Sequence, residues 1–143
     1  MKYLLLQYAN ENALMNLPKE EMGWMHGAYV AYIEAMKKAG VLLGNSGLRP
    51  TSEATTVRAP GGKQSVLNGP FAETKEQLGG YFLVEVPDLD AALSWAARCP
   101  AVQFGAVEVR NVIHPAGRGA AEPTRAPPPP ASLATLPRWG APR

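Results

Sequence analysis

The stretch that decides the fold is YFLVEVPDLDAALSWAAR, residues 81–98. Its first six residues, Tyr81 to Val86, are all apolar or aromatic except for one glutamate, which is typical of a β-strand. Pro87 ends this strand, and Asp88 stands where a helix N-cap accepts hydrogen bonds from free backbone N–H groups. The stretch therefore predicts a strand followed at once by a helix over residues 89–98. Four residues of this helix are expected to face inward: Leu89, Ala92, Leu93 and Ala96.

A longer helix is predicted upstream, between Pro18 and Gly40. Acidic residues follow the proline, and Lys37 and Lys38 precede the glycine, so the charges at both ends complement the helix dipole. Between these ends, apolar side chains recur every three or four residues, which predicts one apolar helix face. These side chains are Met22, Met25, Tyr29, Ile33 and Met36.

The remaining strands complete the order of elements. Three further segments have the composition of a strand: residues 3–8, 41–48 and 106–112. Residues 53–67 are divided by the turn Pro60-Gly61-Gly62, which predicts a β-hairpin. Together with the two helices, these segments predict an α+β fold of ferredoxin-like βαββαβ order with an inserted β-hairpin.

Charge and composition exclude several classes of protein. The net charge is +2, but four arginines and one glutamate follow residue 114, so residues 1–114 hold ten basic and eleven acidic side chains. Such a neutral domain argues against a nucleic-acid surface. No apolar run approaches the roughly 18 residues of a membrane span, and no signal-peptide pattern begins the chain. The single cysteine, Cys99, excludes an internal disulfide. We expect a cytoplasmic protein.

Residues 114–143 are predicted to form a flexible tail outside a single domain of residues 1–113. Eight of the 29 residues from Pro115 onward are proline, and four of these are consecutive, from Pro127 to Pro130. Such a run favours polyproline II, and the tail has too little apolar surface to offset its ordering entropy. We interpret it as a linker or a tether to a protein partner, with Leu133, Leu136 and Trp139 as a short segment able to dock.

Residues 68–82, NGPFAETKEQLGGYF, resemble the signature of the YCII-related, DGPF-domain family. The resemblance covers the predicted domain and continues at five other segments: Met1–Tyr3, Gly40–Leu42, Val86–Asp90, Trp95–Pro100 and Gly105–Arg110. It implies a homodimeric α+β barrel, in which the sheets of two subunits face each other over a central pocket. A related branch includes a dehydrochlorinase of chlorinated hydroquinones that uses a histidine–aspartate pair, and other members resemble companions of extracytoplasmic-function sigma factors.

Two departures from the family pattern bear on function. Asn68 stands in place of the family's namesake aspartate, so a general acid or base is not expected there. After Arg110 the family pattern continues with Pro-Val, whereas this chain has Asn111-Val112.

Charged residues of the two late strands are the first candidates for a site. Alternation places Tyr81 and Glu85 on one face of their strand, and Glu108 and Arg110 on one face of the last strand. If the helices cover the apolar face, these side chains point at the partner's sheet. Carboxylates beside an arginine in an enclosed cavity suit acid–base catalysis, which makes Glu108 and Arg110 catalytic candidates. A buried salt-bridge network of the dimer explains them equally well.

His26 is the third catalytic candidate, because histidine exchanges a proton near neutral pH. Its position at the border of the apolar helix face also fits a packed or surface residue. Asn68, Glu73 and Lys75 are candidates for substrate binding together with Tyr81 and Glu85, although a structural turn with solvated charges fits the loop as well. No metal and no cofactor are expected, since the histidines and the cysteine lack a recognisable ligand spacing.

Two functions are consistent with these features. One is a cofactor-independent acid–base enzyme, of isomerase, lyase or dehalogenase type, acting on a small oxygenated or aromatic metabolite in an enclosed polar pocket. The other is a non-catalytic small-molecule-binding or accessory module, for example a companion of an extracytoplasmic-function sigma factor.

Overall fold

The computed structural model describes residues 1–113, and the predicted tail lies outside them. The described residues divide into a main unit, residues 1–51 with 72–113, and a hairpin unit, residues 52–71. The strands are β1 (Lys2–Ala9), β2 (Leu42–Gly47), β3 (Thr55–Arg58), β4 (Ser65–Asn68), β5 (Gln77–Glu85) and β6 (Gly105–Asn111). The α-helices are α1 (Glu11–Met15), α2 (Lys19–Lys38) and α3 (Leu89–Arg98).

The main unit contains a four-stranded sheet in the order β2-β5-β1-β6. All three neighbouring pairs are antiparallel. α2 connects β1 to β2, and α3 connects β5 to β6, which is the ferredoxin-like βαββαβ arrangement. The predicted α+β fold is confirmed, and no helix among residues 1–113 is long and apolar enough to span a membrane.

The hairpin unit confirms the predicted insertion between β2 and β5. β3 and β4 pair antiparallel, with Thr55 opposite Asn68 and Arg58 opposite Ser65. Gly69 closes the unit: its N–H donates to the Ala54 carbonyl at 2.6 Å, and its positive φ of 110° is a conformation that glycine adopts without strain.

The core of the main unit lies on one face of the sheet, beneath α2 and α3. Strand residues Leu5, Phe82 and Val84 are buried there against Tyr32 and Met36 of α2. Alternate strand residues turn to the other face, which we call the open face: Leu4, Leu6, Leu83, Glu85, Glu108 and Arg110. The predicted alternation of β5 and β6 is therefore confirmed.

α3 corrects one detail of the sequence analysis. Ala92 and Ala96 are buried as predicted, but Leu89 and Leu93 are 50% and 47% exposed. The small alanine side chains, followed by buried Cys99, face the sheet, and the leucines therefore turn away from it.

α1 is a short helix that the sequence analysis did not predict. Asn10 caps it, because its side chain accepts a hydrogen bond from the Ala13 N–H at 2.9 Å. This extra turn contributes to the cavity described next.

Candidate functional site

A cavity of about 350 Å³ lies in the main unit, between α2 and one end of the sheet. Its walls are mainly apolar and include Met25, Tyr29 and Ile33 of α2, with Leu14 of α1 and Phe82 of β5. Ala101 and Phe104, from the turn that precedes β6, also line it. The inward alternation of β1 and β5 places this cavity on the helix-covered side of the sheet.

The polar centre of the cavity is the side-chain amide of Gln7. The Tyr29 hydroxyl donates a hydrogen bond to Gln7 Oε1 at 2.5 Å, and Cys99 Sγ lies 3.7 Å from the same oxygen. Burial, followed by the effect of the nearby thiol, raises the pKa of the Tyr29 phenol. Burial likewise raises the pKa of the Cys99 thiol. Both groups are therefore protonated near neutral pH and act as donors.

Gly80 provides the space in which the Gln7 amide lies. The two residues are opposite each other in the β1–β5 pairing. A Cβ atom at Gly80 would lie 3.2 Å from Gln7 Nε2 and 2.8 Å from the Ser46 carbonyl oxygen. A side chain there would push against both, so the glycine allows the amide to lie across β5.

Glu11 organises another part of the cavity wall. Its carboxylate accepts hydrogen bonds from the Thr51 N–H at 3.1 Å and from the Thr51 hydroxyl. Its own N–H donates to Gln77 Oε1 at 3.0 Å, and Gln77 Nε2 donates to the Thr74 carbonyl at 2.5 Å. These bonds tie α1 to the start of β5 and to the segment after β2. Within the part of the chain that the structure describes, Glu11 is the one acidic residue lining the cavity, and no lysine, arginine or histidine lines it.

The structure does not bring the predicted site residues together. Tyr81 is among the residues at the cavity, although its pairing with Leu6 places its side chain on the open face, and His26 lies exposed on α2 outside the lining. Glu85, Glu108 and Arg110 are exposed on the open face.

Glu73 and Lys75, the loop candidates of the main unit, are likewise outside the cavity lining. Glu73 and Lys75 are exposed in the segment before β5, and Asn68 is exposed at the end of β4 in the hairpin unit. The predicted pocket between two sheets needs a second subunit and stays a prediction.

Sequence reasoning missed Gln7 and Glu11 and treated Tyr29 only as a packing residue. One signal was available in β1: the inward positions Tyr3 and Leu5 are apolar, and the next inward position is Gln7. A polar side chain on a buried strand face needs partners, so it marks either a network or a site. Among residues 1–113, no group of three or more histidine, cysteine or acidic side chains is arranged to hold a metal ion.

Comparisons with known proteins agree with the fold and with the motif at residues 68–82. The model of the YCII-related domain matches residues 1–115, and the chain belongs to this family. An uncharacterised protein of Rhizobium meliloti (strain 1021) is 39% identical over 100 residues, which are 67% of this chain and 77% of the relative. The predicted family membership is confirmed.

A solved structure gives a more distant comparison. It is that of 5-chloro-2-hydroxyhydroquinone dehydrochlorinase from Burkholderia phenoliruptrix AC1100, in complex with 2,5-dihydroxybenzoquinone. The likeness has a TM-score of 0.47 and 18% sequence identity, and covers 80% of this chain and 95% of that chain.

Proposed function

We propose that this YCII-family protein binds a small, oxygen-bearing, planar metabolite, such as an aromatic compound, in the cavity beneath α2. The observation that carries the proposal is a mainly apolar cavity of about 350 Å³ with the hydrogen-bonded pair of Gln7 and Tyr29 in its wall. Small-molecule sites combine these features: an apolar wall of about 300–1,000 Å³ and a few polar groups that orient the ligand. A planar ligand fits the wall formed by Tyr29 and Phe82, whose rings are nearly parallel, at 12°.

Filling the cavity is expected to abolish this binding. In Met25→Trp, an indole from α2 occupies space that the ligand needs, and we expect affinity for small aromatic ketones and phenols to fall more than about tenfold. The measurement is an NMR titration of each variant with a library of such compounds.

Val30→Trp is the matched control, because Val30 is on the same helix but is 50% exposed and outside the lining. Wild-type-like binding by Met25→Trp would contradict the proposed site.

Glu11 supports a second candidate function, a cofactor-independent acid–base enzyme of isomerase, lyase or dehalogenase type. Its carboxylate is positioned by Thr51 at the cavity wall, where a bound molecule can exchange a proton with it. Glu11→Gln keeps the shape and can still accept a bond from Thr51. We expect it to retain ligand binding but to lower turnover by about 100-fold or more. Turnover is assayed on compounds that bind. Equal turnover by the wild-type protein and Glu11→Gln would exclude Glu11 as a catalytic acid or base.

A homodimer through the open face is also proposed. Leu4, Leu6 and Leu83 are adjacent in the pairing of β1 with β5 and form an apolar centre on the face opposite the helices. Monomers rarely leave a contiguous apolar patch of this kind in water. The accessory-module interpretation, with the tail as a tether, stays a prediction.

A further inference from the structure

The orientation of the Gln7 amide is fixed by its two neighbours. Oxygen and nitrogen of a glutamine amide are distinguished by their hydrogen-bond partners. The Tyr29 hydroxyl donates to Gln7 Oε1 at 2.5 Å, and Cys99 Sγ lies 3.7 Å from the same oxygen. Both neighbours of this atom carry a hydrogen that they can donate, which fits an acceptor oxygen. The remaining amide atom, Nε2, carries two N–H donors.

The Nε2 donors are free to bind a ligand. Among residues 1–113, Gln7 Nε2 has no hydrogen-bond partner, and no fully buried side-chain nitrogen or oxygen lacks one. Nε2 is therefore accessible, and Gln7 lines the cavity. An N–H donor that faces an apolar cavity binds most favourably to a ligand atom that accepts a hydrogen bond.

The charge of the lining restricts the ligand further. Among residues 1–113, the lining contains no basic side chain, and its one acidic side chain is that of Glu11. An anion entering this space would lose hydration without gaining a cationic partner, which is costly in an apolar environment. A neutral molecule does not have this cost.

We infer that Gln7 Nε2 is the specificity-determining donor of the cavity and selects neutral, planar molecules with a carbonyl oxygen. This inference rests on the proposed function, because it identifies the class of ligand for the same cavity. It assigns Tyr29 a positioning role, since the phenol keeps the amide oxygen away from the ligand and the amide nitrogen towards it.

A matched set of small probes tests this inference. Acetophenone carries a carbonyl group, α-methylstyrene has a C=CH₂ group of the same shape in its place, and benzoate is the corresponding anion. NMR titration of the full chain gives the dissociation constant of each probe. We expect acetophenone to bind about fivefold more tightly than α-methylstyrene, as one net hydrogen bond implies. Benzoate should bind more weakly than acetophenone.

Two readouts connect the preference to Gln7. In the wild-type protein, acetophenone should shift the side-chain NH₂ resonances of Gln7, and α-methylstyrene should shift them much less. In Gln7→Met, which has similar length but no donor, the two probes should bind equally. Gln103→Met is the control, because Gln103 is exposed and outside this cavity. It should keep the fivefold preference. If Gln7→Met does not fold, the wild-type resonances still decide the outcome.

The possible failures are distinguishable. Equal binding of acetophenone and α-methylstyrene to the wild-type protein would overturn the donor role but leave the cavity as a ligand site. A preference for acetophenone over α-methylstyrene that persists in Gln7→Met would also overturn the donor role of Gln7. Tighter binding of benzoate than of acetophenone would overturn the selection of neutral ligands. If no probe shifts resonances of the cavity residues at millimolar concentration, both the inference and the proposed function are overturned.

Discussion

Gly105→Ala is expected to disrupt the pairing of β6 with β1. A Cβ atom at Gly105 would lie only 1.9 Å from the Tyr8 carbonyl oxygen and 2.9 Å from the Ala9 Cα atom. Both contacts are with backbone, so no side-chain rotation relieves them, and the strands must separate at the point where β6 begins. We expect a loss of more than about 3 kcal/mol in the free energy of unfolding, at the upper end of what overpacking costs.

Urea unfolding of Gly105→Ala and Gly79→Ala provides the comparison. A Cβ atom at Gly79 meets no other atom within 4 Å, and Gly79 has no positive φ. Its substitution should change the free energy of unfolding by less than about 1 kcal/mol. Similar stability of the two variants would show that the backbones of β1 and β6 do not approach this closely at Gly105.

Leu5→Ala is expected to cost about 2–5 kcal/mol in the free energy of unfolding. Leu5 is fully buried in β1, the strand that pairs with both β5 and β6. Truncation leaves a void that Phe82 and Val109, its partners in the two pairings, cannot fill without moving the strands. Thermal or urea unfolding of the purified variant measures the loss.

Leu4→Ala is the control, because Leu4 precedes Leu5 in β1 but lies on the open face. A half-buried leucine on this face contributes less to the subunit core. The free energy of unfolding of a dissociated subunit should therefore fall less in Leu4→Ala than in Leu5→Ala. In the proposed homodimer, the same change should raise the dissociation constant, which analytical ultracentrifugation measures. An unchanged dissociation constant would argue against the open face as the interface. If Leu4→Ala lowered the free energy of unfolding as much as Leu5→Ala does, the assignment of these two residues to opposite faces of β1 would be contradicted.

Much of the fold could be predicted because the relevant signals are local. The period of α2, the alternation in β5 and the turn at Pro60-Gly61-Gly62 depend on residues within a few positions of one another. Predictions were less accurate where two local patterns compete. In α3, leucines and alanines are both apolar, and only close packing against the sheet decided that Ala92 and Ala96 face inward and Leu93 does not.

The sequence by itself determined the family, the order of the strands and the two longer helices, and the faces of the strands. Only the tertiary structure decided where the cavity lies and which groups meet in it. Gln7 contacts Tyr29 across 22 positions and Cys99 across 92. Alternation in β1 marks Gln7 as a polar residue on the inward face, but nothing near it in sequence indicates these two partners. Local periodicity determines the direction in which a side chain points, whereas a site forms where side chains from separate elements converge. That convergence is fixed by the packing of α2 and α3 on the sheet, a long-range property that short windows of sequence do not contain.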